Sequence, residues 1–176
     1  HREEILRETV VPARADEDVR RRAQDVATDV LELLDGRGVY GIELFQGPDD
    51  EILVNEIAPR PHNSGHWTIE GAVTSQFEQH VRAVTGRPLG TTDRRSPTVM
   101  TNLLGDVEET QPAALRGVEE ILGTSRAALH WYGKRDARPL RKMGHVTLTG
   151  ADDADVEDLL AQVRGIRDSA TFVGQD

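Results

Sequence analysis

Two prolines set one residue apart, Pro59 and Pro61, close a β-rich run at residues 51–57 and forbid it to continue. Each removes a backbone donor and biases the residue before it toward extended geometry, so residues 58–61 leave the strand as a stiff, irregular loop. Around this turn, between positions 55 and 67, stand Asn55, Glu56, Arg60, His62, Asn63, Ser64, His66 and Trp67. No packing requirement selects such a set, and loops held by a rigid scaffold are where binding and catalytic groups gather.

The residues before the loop supply a second acid. Runs at 39–45 and 51–57 flank Gln46-Gly47-Pro48-Asp49-Asp50, a turn-forming cluster, and read as a β-hairpin. With the turn centred on Asp49-Asp50, Glu43 stands opposite Glu56, their Cβ atoms about 4.5–5.5 Å apart, on one face with Phe45, Ile52 and Val54. Two carboxylates so placed repel. On a largely apolar face they should raise a pKa or recruit a cation, and magnesium, which commonly joins one or two carboxylates to nucleotide phosphates, suits them. The alternative is a solvated hairpin face with two unrelated acids, since a one-residue slip would send them to opposite faces. Strict alternation turns Asn55 away from Glu56.

The other concentration of charge is basic. Trp131-Tyr132-Gly133-Lys134 is followed by Arg135, Arg138, Arg141 and Lys142, and both lysines of the chain fall in this stretch, in a protein of net charge −10. Arginine grips phosphate bidentately and lysine acts as a point charge, so a loop of this composition between two strands is an anion site or a solvated basic turn. His62-x-x-x-His66 has the spacing of a helical metal pair, but Pro61 and Asn63-Ser64-Gly65 oppose a helix, which argues against zinc. His80 and His130 read as structural or surface positions, and Trp67 and Trp131 as packing anchors.

Residues 41–45 (Gly-Ile-Glu-Leu-Phe), 55–68 (Asn-Glu-Ile-Ala-Pro-Arg-Pro-His-Asn-Ser-Gly-His-Trp-Thr) and 75–83 (Ser-Gln-Phe-Glu-Gln-His-Val-Arg-Ala) resemble the ATP-grasp enzymes of purine synthesis, and specifically the 5-(carboxyamino)imidazole ribonucleotide synthase family. The resemblance runs from His1 to about Gly150. It implies ATP-dependent carboxylation of 5-aminoimidazole ribonucleotide with bicarbonate, with ATP and Mg2+ as cofactors. Glu43 and Glu56 would hold the metal, and His1, Asn55 and Glu56 would contact the nucleotide. Arg60 would pin bicarbonate or carboxyphosphate, oriented by His62 and Asn63, while Lys134 and Arg141 would bind the ribonucleotide phosphate. The resemblance further implies a cytoplasmic homodimer.

The formate-dependent glycinamide ribonucleotide transformylases share the Pro-Arg-Pro-His core but usually continue Asp-Thr-Gly. Here Asn63-Ser64-Gly65 and then His66-Trp67 follow, which favours the carboxylating branch. Nothing resembling a glycine-rich lid, an adenine hinge or a phosphate-binding lysine of an ATP-grasp enzyme precedes His1. The expectation is therefore the C-terminal part of an enzyme, inactive alone and dependent on a missing N-terminal half, or a noncatalytic remnant kept as a ligand-binding or assembly module.

Organisation along the chain agrees with an α+β fold: the C-terminal half of an ATP-grasp domain over residues 1–90, then a small β-rich domain with a terminal helix over 91–176. A β-rich opening (5–11) precedes an amphipathic helix over 16–34 with Val19, Ala23, Val26, Val30 and Leu33 on one stripe and Gly36 as its stop. Ser75-x-x-Glu78 is a capping box for a helix carrying Phe77, Val81 and Val84. The turn-rich stretch 86–97 is the expected linker. Beyond it, strands at 98–104, 127–132 and 145–148, a helix near 113–122 and an acid-led helix at 152–166 are expected.

The 176 residues permit a modest core, with no cysteine for a disulfide scaffold and no apolar run to span a membrane. An acidic balance of 31 Asp and Glu against 21 Lys and Arg argues against nucleic acid as partner. The scarcity of lysine fits either a salt-rich cytoplasm or a GC-biased genome.

Overall fold

A computed structural model describes residues 5–174. In chain order the elements are β1 (Glu8–Val11), α1 (Glu17–Leu34), β2 (Gly41–Gln46), β3 (Ile52–Ala58), a 3-10 turn (Asn63–Gly65), α2 (Thr68–Gly71), α3 (Gln76–Val84), β4 (Thr98–Leu104), β5 (Gln111–Arg116), α4 (Val118–Gly123), β6 (Ala127–Trp131), β7 (Asp136–Ala137), β8 (Lys142–Thr149), α5 (Val156–Ser169) and β9 (Thr171–Gly174). The architecture is α+β. It divides into two compact units, residues 13–94 and residues 95–174 joined by the segment 5–12.

The placement of β1 differs from a division at residue 90. β1 pairs antiparallel with β4, Glu8 against Thr101 and Val11 against Thr98, so the opening segment is a strand of the second unit's sheet, ordered β1-β4-β8-β6. Asn102 holds the same segment through its side chain, Nδ2 donating to Leu6 O at 2.9 Å. A smaller sheet, β7-β5-β9, completes that unit. Its core is continuous: Val99, Leu103, Ile121, Met143, Val146, Leu148, Leu160 and Val163 are buried together. α5 contributes Leu159, Leu160, Val163 and Ile166, the i, i+1, i+4, i+7 face of one stripe. Asp155 caps it, its carboxylate accepting from Glu157 N–H at 2.7 Å.

The helix expected near 113–122 is corrected. Residues 111–116 form a strand, because Gly117 at φ 75° ends the extended run in a left-handed turn, from which α4 starts. A Cβ at Gly117 would stand against the backbone of Ser169, so only glycine fits the turn.

In the unit 13–94, α1 runs as the stripe requires, but its C-terminal end departs from it. Val19 is buried whereas Leu33 is 86% exposed, and Asp35 rather than Gly36 takes the left-handed cap, with φ 44° and its N–H on Leu31 O. α3 begins as expected: Ser75 Oγ accepts from Glu78 N–H at 3.2 Å. Its apolar residues Phe77, Val81 and Val84 are exposed, as are Phe45, Leu53, Val54 and Ile57 of the hairpin. The turn-rich stretch after α3 is tied back to it, Gln79 donating to Gly90 O at 2.8 Å and accepting from Gly90 N–H at 2.9 Å.

Candidate functional site

The hairpin β2–β3 places the acids. Glu43 and Glu56 are direct cross-strand partners. Just beyond them the register shifts, since Leu44 pairs with Val54, leaving Asn55 as an extra residue in β3. This bulge has two consequences. Toward the turn the faces are Glu43, Phe45 and Leu53, not Glu43 with Ile52 and Val54, because one residue has been absorbed. Asn55, expected to point away, instead turns toward the acids: its Nδ2 donates to Glu43 Oε2 at 3.4 Å. A bulge re-aims a side chain in this way, and strict alternation cannot foresee it.

His62 completes the cluster. Its Nδ1 lies 3.6 Å from Glu43 Oε1 and shares a hydrogen bond of 2.8 Å with Ser64 Oγ. Gly41 allows the approach, for a Cβ there would come within 2.5 Å of His62 Cβ. Thus Glu43, Asn55, Glu56 and His62 gather at one end of the hairpin. Arg60 is exposed, its Nη1 donating to Pro61 O at 3.1 Å. Residues 59–62 carry no regular structure, as expected of the proline loop, and Asn63–Gly65 then winds into a 3-10 turn, His66 N–H bonding to Asn63 O at 3.1 Å. His1 lies outside the described residues.

Residue 76 was absent from the expected set. Gln76 is 7% exposed, and its carboxamide bonds to the His62 backbone at both N–H and O and to His66 Nδ1. The signal available in the sequence was an amide at the first position of a capped helix directly after the loop. His80 is structural, its Nδ1 accepting from Val39 N–H at 3.1 Å.

Lys134 and Arg141 belong to the other unit, on the segment between β6 and β8. Arg141 Nη1 donates to Asp136 O at 3.0 Å, and Lys134 Nζ donates to Lys142 O. Burial, followed by the nearby Arg141 and Lys142 charges, holds the Lys134 ammonium below its ordinary pKa. His130, read as a structural or surface position, and His145, to which no role was assigned, face each other here. His145, 2% exposed, pairs with His130 across β6 and β8, their rings stacked at 4.4 Å, and its Nδ1 is 2.8 Å from Tyr132 Oη. Lys134 Nζ stands 5.7 Å from the Tyr132 ring centre. An open cleft of about 460 Å3, lined by Pro112, Ala113, Trp131, Gly133, Lys134 and Arg135, adjoins it.

Residues 1–77 match the ATP-grasp domain, and residues 98–159 match the phosphoribosylaminoimidazole carboxylase C-terminal domain. The N5-carboxyaminoimidazole ribonucleotide synthases of Brucella melitensis and Bacillus subtilis are 49% and 45% identical to this chain over 147 and 150 residues. The chain belongs to this family of ATP-grasp proteins. Each alignment covers 84% of the chain but 39% and 37% of the relative, so the chain spans about two-fifths of their length. Among solved structures, the Thermotoga maritima N5-carboxyaminoimidazole ribonucleotide synthetase has a TM-score of 0.89 at 48% identity, covering 96% of this chain and 46% of that one. The Aspergillus clavatus N5-carboxyaminoimidazole synthase in complex with ADP and 5-aminoimidazole ribonucleotide has 0.84 at 34%, covering 96% and 45%. The fold is therefore part of an ATP-grasp domain with the C-terminal domain of this family. No helix among the described residues is long and apolar enough to cross a membrane.

Proposed function

We propose that the protein carrying this chain carboxylates 5-aminoimidazole ribonucleotide with bicarbonate and ATP in purine biosynthesis. The observation that carries the reading is the convergence of Glu43, Asn55, Glu56 and His62 at one end of the β2–β3 hairpin, directly before the Asn63-Ser64-Gly65-His66-Trp67 run by which the chain resembles the carboxylating branch. Two carboxylates paired across strands are hard oxygen donors of the kind Mg2+ takes alongside nucleotide phosphates, so Glu43 and Glu56 fit as its ligands. When bound, the metal would neutralise charge on the phosphates during phosphoryl transfer.

The other steps fall to side chains. Arg60, exposed on its stiff loop, swings from Pro61 O to pin the bicarbonate or carboxyphosphate anion, which Asn63 helps to orient. His62, held against Glu43 and Ser64, orients that anion. Asn55, turned inward by the bulge, and Glu56 face the nucleotide, as His1 does by resemblance. Lys134 and Arg141 grip the ribonucleotide phosphate. The reading extends to a cytoplasmic homodimer in which the rest of the polypeptide supplies the lid and adenine hinge, so this chain alone does not turn over ATP.

One experiment tests it. The complete protein should hydrolyse ATP only with both bicarbonate and the ribonucleotide, and formate with glycinamide ribonucleotide should yield no product. Arg141→Ala, which removes a charge-assisted bond of about 1.5–3 kcal/mol, should weaken ribonucleotide binding roughly ten- to a hundredfold and leave ATP affinity unchanged. Formylation above background would switch the branch. An unaltered preference for the phosphorylated over the dephosphorylated ligand in Arg141→Ala would reduce the basic loop to a solvated turn.

A further inference from the structure

Gln76 opens α3 immediately behind the Ser75 cap and is buried beneath the site loop. Its Oε1 accepts from His62 N–H at 2.9 Å, and its Nε2 donates to His62 O at 2.8 Å and meets His66 Nδ1 at 2.9 Å. Its own N–H donates to Thr68 Oγ1 at 2.9 Å, and that hydroxyl donates to Gly65 O at 2.6 Å. Gly65 has no room for a side chain, since a Cβ would lie 2.5 Å from Gln76 Oε1.

The direction of these bonds is not free. A backbone N–H can only donate and a carbonyl can only accept, so the two bonds to His62 fix which end of the Gln76 carboxamide is oxygen and which is nitrogen. Flipping the amide would set donor against donor and acceptor against acceptor. With Nε2 fixed as a donor whose two hydrogens go to His62 O and His66, His66 Nδ1 must accept. The His66 ring is then neutral, with its proton on Nε2. Its plane is held as well, stacked 5.5 Å from the Phe77 ring at 26°.

We infer that Gln76 is a positioning residue of the site: it fixes His62 through both backbone groups and locks His66 as the Nε2–H tautomer. His66 in that form is a hydrogen-bond donor and not a general base. The kinetic part of this inference rests on the carboxylation reading; the tautomer does not.

Histidine 15N NMR of the complete protein, with the His66 signals assigned by their loss in His66→Gln, decides it. The unmodified protein should show His66 bare at Nδ1 and protonated at Nε2 at neutral pH; a proton on Nδ1 overturns the inference without recourse to any variant. Gln76→Glu keeps the shape but replaces the donor by a carboxylate, which should draw a proton onto His66 Nδ1. It should also lower kcat for bicarbonate-dependent ATP turnover roughly ten- to a hundredfold, with ribonucleotide KM within about twofold. A Gln76→Glu protein with unchanged His66 signals and unchanged kcat overturns the clamp. If the unmodified protein shows the expected tautomer but no bicarbonate-dependent turnover, the clamp stands and the carboxylation reading falls.

Discussion

The two units of this chain are built by opposite means. Residues 95–174 close around side chains at or near zero exposure, among them Val99, Met100, Ile121, Met143, Val146, Leu148, Leu160 and Val163. In residues 13–94 the buried apolar side chains are Val19, Ala58 and Ala72, while Phe45, Leu53, Phe77, Val81, Val84 and Leu89 are exposed. What orders the second set is polar: Gln76 on His62 and His66, Gln79 on Gly90, His80 on Val39 and Ser75 on Glu78. The candidates Glu43, Asn55, Glu56, Arg60, His62 and Asn63 sit on the polar-clamped unit, and Lys134 and Arg141 on the cored one. Directional bonds set a side chain's orientation and, for a histidine, which ring nitrogen carries the proton, which apolar packing alone does not do.

Core deletions should separate the units most sharply. Met100→Ala and Leu160→Ala each remove a fully buried side chain and should cost about 2–5 kcal/mol in denaturant unfolding. Val81→Ala and Leu33→Ala, on exposed positions, should stay within about 0.5 kcal/mol. Comparable losses in both pairs would break the contrast.

The polar clamps come next. Gln79→Ala strands both Gly90 N–H and O, which should destabilise locally by about 1–3 kcal/mol. Hydrogen exchange should quicken around Gly90 and leave the amides of β4 and β8 as slow as before. Faster exchange in β4 and β8 would mean that the two units unfold together.

Much of the clamped unit was readable because its signals are local. The proline stop after β3 and the Ser75 cap follow from residues a few positions apart, and the Glu43–Glu56 pairing from the turn between two adjacent strands. The Asn55 bulge was not readable, because absorbing one residue leaves the alternation of side-chain types intact while changing which face each one takes. In the other unit, β5 read as a helix because Ala113, Ala114 and Leu115 suit either state; its pairing with β7 and β9, over twenty residues away, decides the matter. Likewise the His130–His145 stack comes from strand register, and Gln76 owes its role to a contact across fourteen positions.

Smaller effects test the charged edges of the cored unit. Glu8 on β1 binds Arg164 and Arg167, at 2.6 and 3.0 Å, and these bonds, that to Arg164 foremost, hold its carboxyl below the usual glutamate value. A carboxylate depressed by folding adds stability above its unfolded pKa and loses it as pH falls through the folded one. With Arg164 well exposed, the contribution at neutral pH should be about 1 kcal/mol. Glu8→Gln should be less stable at pH 7, and the gap should close below about pH 4. No gap at pH 7 would show the segment 5–12 to be held by its strand pairing alone.

The smallest effect is also the one that separates binding from folding. Lys134 has its ammonium pKa lowered, first by burial and then by Arg141 and Lys142. For a lysine depressed in the folded state the unfolded chain holds the proton more tightly, so stability should rise slightly as pH climbs from the folded pKa toward about 10.4. Phosphate binding has the opposite sign. An anion beside Lys134 favours the charged form, so ribonucleotide affinity should fall over the same alkaline interval, while the affinity of a dephosphorylated nucleoside stays level. Titrating both ligands into the complete protein across that range, alongside thermal unfolding without ligand, should give two trends of opposite slope. In Lys134→Gln both slopes should vanish. If the phosphorylated and dephosphorylated ligands respond alike to pH, Lys134 does not meet the phosphate, and its place on the cored unit serves only the contact with Lys142 O.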